Sequence, residues 1–118
     1  MSKVIISGDR NWNGHELESK MRAIFSQFPK DTEIIHGNCR GVDLTADKIA
    51  RELGLKITIF SPDWKNKGKA AGPIRNKEML DYGATAVYAF HQYVDESKGT
   101  KNMMDQAKKR NVPVYLFG

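Results

Sequence analysis

Five short apolar runs recur along this chain, and in between lie stretches whose apolar residues repeat at helical spacing. The runs are Lys3 to Ser7, Thr32 to His36, Lys56 to Phe60, Ala84 to Phe90 and Val112 to Phe117. Leu17, Met21, Ile24, Phe25 and Phe28 form the first helical pattern, which Pro29 stops. Leu44, Ile49, Ala50 and Leu53 form the second, closed by Gly54. Pro73, Ile74, Met79 and Leu80 precede a break at Gly83, and Met103, Met104 and Ala107 follow Gly99-Thr100. Strands that alternate with helices from end to end predict a parallel sheet, because each helix must carry the chain back across the sheet before the next strand begins.

Right-handed crossovers bring every strand-to-helix loop to one edge of such a sheet, at the carboxyl ends of the strands. Loops 8–14, 37–43, 61–72 and 91–99 share that edge, and ligands bind there in sheets of this kind. The expected architecture is a Rossmann-like α/β/α sandwich with five parallel strands in the order 3-2-1-4-5. A flavodoxin-like order is the alternative. At 118 residues the chain makes one domain, 1–118, with a core that needs no staples.

A formal charge of +5 favours acidic small molecules or nucleic acid as partners. The single cysteine, Cys39, excludes an intrachain disulfide and the multi-cysteine zinc sites. It also fits a reducing compartment. No run has the length of a signal peptide or a membrane span, so the expectation is a cytoplasmic protein.

The chemistry concentrates in Gly37-Asn38-Cys39-Arg40-Gly41-Val42-Asp43, a glycine turn between the second strand and its helix. A helix that opens from such a turn presents free N–H groups and the positive end of its dipole. Gly37 and Gly41 allow positive φ and close approach of a phosphate, and Arg40 offers a guanidinium fork. An ordinary tight turn is the other reading. Asp43 suits either a ligand contact or capping of its helix. Cys39, with no activating partner nearby in sequence, reads as inert packing.

In the first loop Gly8 gives room, Asp9 suits a ribose hydroxyl or the turn itself, Arg10 suits phosphate, and Trp12 either stacks on a base or lids the helix. The third loop carries Trp64, Lys65, Lys67, Lys69, Gly72, Arg75 and Asn76, either a cationic flap or, for Lys65 and Lys67, an ordinary solvated lysine run, with Arg75 and Asn76 in the first turn of the next helix. Gly99 and Thr100 repeat the glycine-plus-hydroxyl helix start. His36 and His91 end strands 2 and 4 without a third ligand, so neither metal nor cofactor is expected.

Assembled, these pieces resemble the YspA-like branch of the SLOG superfamily. The resemblance rests on Ser7 to Trp12, His36 to Asp43, Asp63-Trp64, Gly68 to Asn76 and Gly99-Thr100, and covers nearly the whole chain. It implies a domain that binds nucleotides or nucleotide-derived ligands, often as a homodimer, and phage defence or counter-defence is one setting for it. Some relatives, the LOG proteins, cleave the base–ribose bond of nucleoside monophosphates with an arginine in a motif similar to Ile74-Arg75-Asn76-Lys77 and a glutamate in GTxxE. Here Met103 stands where that motif places the acid. Without it, the hydrolysis loses its carboxylate, for which Asp43, Asp95 or Glu96 are the remaining candidates.

Three functions follow. The leading one is a sensor or sequestering module for a nucleotide-derived ligand, with Arg10, Arg40 and Arg75 on phosphate and Trp12 or Trp64 on the base. The second is a nucleotide glycosidase or phosphoribohydrolase using Arg75 with Asp43 or Glu96. The third is single-stranded nucleic-acid binding through Trp64 and its lysines, since the DprA proteins resemble the same superfamily.

Overall fold

The computed structural model describes residues 2–118. Strands β1 (Lys3–Gly8), β2 (Glu33–His36), β3 (Lys56–Ile59), β4 (Ala86–Phe90) and β5 (Val114–Phe117) form one parallel sheet in the order β3-β2-β1-β4-β5. The 3-2-1-4-5 order of the sequence reading is the observed one. Helices α1 (His15–Phe25) and α2 (Val42–Glu52) pack on one face over Val4, Ile6, Ile34 and Phe90. Helices α4 (Ala71–Tyr82) and α5 (Gly99–Lys109) cover the other, over Ile5, Ile35 and Val87. Alternate residues of β1 and β2 thus feed two separate cores, as the strand period of two requires.

Three local expectations change. Residues 61–72 are not one loop: a short helix α3 (Trp64–Lys67) and a 3₁₀ turn (Gly68–Ala70) fill it. Because α4 then starts at Ala71, Arg75 and Asn76 lie in its second turn, not its first. In α2 the core-facing positions are Val42, Ala46, Ile49 and Ala50, while Leu44 is 47% exposed. Those four positions follow the i, i+4, i+7, i+8 pattern of one helix face, and Leu44 lies off it.

On the α1 side, Ile24, Phe28, Tyr88 and Phe117 line an apolar groove of about 440 Å³.

Near the amino edge of the sheet the Glu33 side chain is buried. It accepts hydrogen bonds from Thr58 Oγ1 at 2.5 Å and Tyr82 Oη at 2.6 Å, and Lys56 Nζ lies 3.6 Å away. Burial alone raises a carboxyl pKa. These hydroxyls and Lys56 outweigh it, so Glu33 titrates below the usual range. The folded pKa is depressed, so its contribution to stability is present above the unfolded pKa and lost as pH falls through the folded one. Glu33→Gln is expected to flatten the acid limb of the melting temperature plotted against pH. An unchanged acid limb would remove Glu33 from the account.

Candidate functional site

The site is built where β1, β2 and β3 end. Beyond β1 the chain turns at Asp9, whose Oδ1 accepts the Asn11 N–H at 2.8 Å, so this carboxylate orders its own turn. The Asp9 carbonyl accepts the N–H of Val42, the first residue of α2, at 3.1 Å. The first two loops are locked together there. Gly41, at φ 77°, lies against the backbone of Asp9 and Arg10, where any side chain would collide. Only glycine meets both demands. Gly8 is packed similarly between Phe90 and Val42.

The turn after β2 consumes its own donors. Asp43 Oδ2 accepts the N–H of Gly37 at 3.1 Å and that of Cys39 at 3.2 Å. The Asn38 N–H donates to His36 Nδ1 at 3.0 Å. With Nδ1 accepting, His36 uses Nε2 to donate to Asp47 Oδ2 at 2.7 Å. Burial works against the Asp47 carboxylate, but hydrogen bonds from Arg51 and His36 prevail and hold its pKa below the usual range. Burial pushes Asp43 the other way, above the usual range, against the pull of the two N–H groups and of Arg75.

This narrows the expected anion cradle. The N–H groups of Gly37, Asn38, Cys39 and Val42 all have acceptors inside the protein. The positive φ of the turn also falls at Asn38 (59°) and Gly41, not at Gly37.

What Gly37 makes room for is Arg75. The guanidinium of Arg75 lies where a Gly37 side chain would be. Nη1 donates to the Gly37 carbonyl at 2.5 Å and Nε to Asn76 Oδ1 at 3.0 Å. Arg75 is only 7% exposed, with Cys39 Sγ 3.8 Å from Nη1. Asn76 in turn donates from Nδ2 to the Gly99 carbonyl at 3.3 Å and to Asn102 Oδ1 at 3.1 Å. Arg75 and Asn76 therefore brace the turn of β2 and the start of α5 from behind.

In front of this brace opens a cleft of about 390 Å³, lined by Arg10, Asn38, Cys39, Arg40, Ser61, Pro62 and Trp64. The Arg40 Nη2 donates to Asn11 Oδ1 at 3.1 Å, and Asn38 Nδ2 to Ser61 Oγ at 3.1 Å. Trp64, on the short helix that Asp63 caps, is 46% exposed, and the Arg10 guanidinium lies over it, 5.4 Å from the ring centroid. Four of the predicted residues, Arg10, Asn38, Arg40 and Trp64, thus meet around one space.

Others lie elsewhere. Trp12 packs against the core beneath α1 and α2, with Lys20 Nζ 5.9 Å from its ring, so it is the lid and not the base platform. Thr100 is buried, and its N–H donates to Ser97 Oγ at 3.0 Å. Gly72 is buried beneath Trp64, Gly99 begins α5, and Lys69 is exposed on the 3₁₀ turn. Glu96 is exposed on a separate 3₁₀ turn and does not line the cleft. His91 Nδ1 accepts the Tyr93 N–H at 2.9 Å, apart from His36 and its partner. Sequence reasoning passed over Ser61 and Pro62, whose only signal is their position just past β3, and the pairing of His36 with Asp47.

The family model for YspA, cpYpsA-related SLOG proteins matches residues 2–66, the span from β1 to the Trp64 helix. The chain belongs to this family. Gene 61 protein of Mycobacterium phage D29 is 34% identical over 124 residues, spanning 100% of this chain and 98% of that one. Among solved structures, the X-ray structure of DNA processing protein A (DprA) from Streptococcus pneumoniae superposes with a TM-score of 0.76 over 98% of this chain. At 14% identity that likeness shows the fold alone, and the SLOG chain spans 50% of the length of that structure. Among the described residues no helix is long and apolar enough to cross a membrane.

Proposed function

We propose that this SLOG domain binds a phosphorylated nucleoside or a related nucleotide-derived ligand in the cleft at the carboxyl edge of the sheet, as a sensor or sequestering module. One observation carries the reading: the cleft is lined by two arginines, an amide, a hydroxyl and an exposed indole, and by no carboxylate. Guanidinium forks suit phosphate, and an exposed indole suits a base. Arg40 and Arg10 hold the anion, Trp64 stacks, and Asn38 with Ser61 contacts the sugar or base.

Hydrolysis of the base–ribose bond finds less support. Met103, which stands where the glycosidases' acid is expected, is fully buried in the core, Asp43 is tied to its own turn, and Glu96 lies off the cleft. Single-stranded nucleic acid keeps a place as the second reading, because Lys65, Lys67 and Lys69 are exposed beside Trp64. Its signature is a steep loss of oligonucleotide affinity with salt.

A thermal-shift panel of nucleoside monophosphates, ADP-ribose, NAD and cyclic nucleotides tests the proposal, each mixture being assayed for released base. A ligand at about 100 times its dissociation constant adds about 2.7 kcal/mol of stability. Arg40→Ala is expected to weaken that ligand tenfold or more, about 1.5–3 kcal/mol for a charged hydrogen bond. The exposed position of Arg40 leaves the melting temperature of the free protein unchanged. Released base, or undiminished binding by Arg40→Ala, would overturn the reading.

A further inference from the structure

Arg10, in the loop after β1, and Trp64, on α3, are far apart in sequence and meet on the wall of one cleft, with the guanidinium over the indole face. The ring is otherwise open to solvent along much of its surface, and its other contact of note is an edge resting near Gly72 of α4. Arg10 therefore occupies in the free protein one face of the indole, a surface on which an aromatic base stacks. We infer that Arg10 is a selectivity latch on Trp64: a base takes the face that Arg10 covers only by displacing the guanidinium, and a ligand is accepted there when it also carries the phosphate that gives the displaced guanidinium a new partner. The inference rests on the nucleotide reading of the cleft and specifies its ligand class, base and phosphate on one molecule.

The physical reason lies in what each class of ligand offers Arg10. A free nucleoside stacks on Trp64 and strips Arg10 of its cation–π contact, leaving nothing in exchange. A nucleotide replaces that contact with a charge-assisted pair, which is the stronger of the two. Inorganic phosphate pairs with the guanidinium but leaves the indole uncovered. Only the joined ligand makes both contacts, so the latch discriminates against the two fragments without any steric barrier.

This distinguishes Arg10 from a plain phosphate contact. Removing a plain contact weakens the nucleotide and leaves the nucleoside as it was. Removing a latch moves the two in opposite directions. Calorimetric titration of wild type and Arg10→Ala with AMP and adenosine, GMP and guanosine, CMP and cytidine, and UMP and uridine reads this directly. The monophosphate that binds wild type is expected to weaken about tenfold or more in Arg10→Ala. Its nucleoside is expected to tighten about two- to fivefold, the worth of an exposed cation–π contact. Arg10 is exposed, and unchanged melting of the variant checks that its fold is intact. A nucleoside affinity that stays the same or falls in Arg10→Ala, while wild type binds the monophosphate, overturns the latch and leaves the nucleotide reading standing. Wild type that binds none of the four monophosphates at millimolar concentration overturns the latch, and the nucleotide reading falls with it if ADP-ribose, NAD and the cyclic nucleotides do not bind either.

Discussion

Arg75→Ala is expected to lower the stability of the protein by about 3 kcal/mol, the scale of a buried charged group whose partners are left unpaired. In a domain of this size that is a fall of roughly 10 °C in melting temperature. The guanidinium is almost wholly enclosed, its Nη1 satisfies the Gly37 carbonyl, and its bulk fills the space that Gly37 leaves. Alanine would leave a buried carbonyl without its donor and a cavity under the turn. Arg75→Lys is not expected to rescue it, since an ammonium cannot serve Gly37 and Asn76 at once in the planar geometry seen. Thermal unfolding of Arg75→Ala beside Arg40→Ala makes the comparison, because Arg40 is exposed and its loss costs no stability. If Arg75→Ala melted like wild type and lost only ligand, Arg75 would be a ligand group and the bracing role assigned to it would be wrong.

Asp43→Ala is expected to cost nearly as much, roughly 2–3 kcal/mol, because it orphans the Gly37 and Cys39 N–H groups beneath the cleft. Asp43→Asn separates the hydrogen bonds from the charge. It retains an acceptor oxygen, and its expected cost at neutral pH is about 1 kcal/mol or less. The pH dependence has a definite sign. Burial raises the folded pKa of Asp43 above its unfolded value, so its contribution to stability is fully present below the unfolded pKa and lost as pH rises through the folded one. The stability advantage of wild type over Asp43→Asn is therefore greater in acid than at neutral pH. Glu33, whose pKa is depressed, behaves in the opposite sense. Melting curves of the two variants across the carboxylate range check both signs, and a wild-type advantage over Asp43→Asn that grew with pH would contradict the burial argument.

The two arginines of motif-bearing turns show how far local pattern reaches. Arg40 and Arg75 look alike in sequence, Arg40 next to Gly41 and Arg75 three residues after Gly72, each in a motif bound for the carboxyl edge. Arg40 faces the cleft and Arg75 faces away from solvent into the turn. The difference arises from Gly37, 38 positions from Arg75, whose missing side chain leaves the space that the guanidinium fills. Trp12 and Trp64 divide in the same way. Trp12 completes the core that α1 and α2 build, and Trp64 sits on a capped helix beyond it.

By itself the sequence determined the alternation of strands and helices, the parallel sheet that follows, and the edge at which loops 8–14, 37–43 and 61–72 converge. These depend on periodicity and crossover handedness, which are properties of contiguous residues. The tertiary structure alone decided which donors stay available at that edge. Asp43 and His36 occupy the N–H groups of Gly37, Asn38 and Cys39, whereas the guanidinium groups of Arg10 and Arg40 line the cleft. That division is a matter of satisfying every buried polar group at once, and the partners are brought together only by the packing of the whole chain.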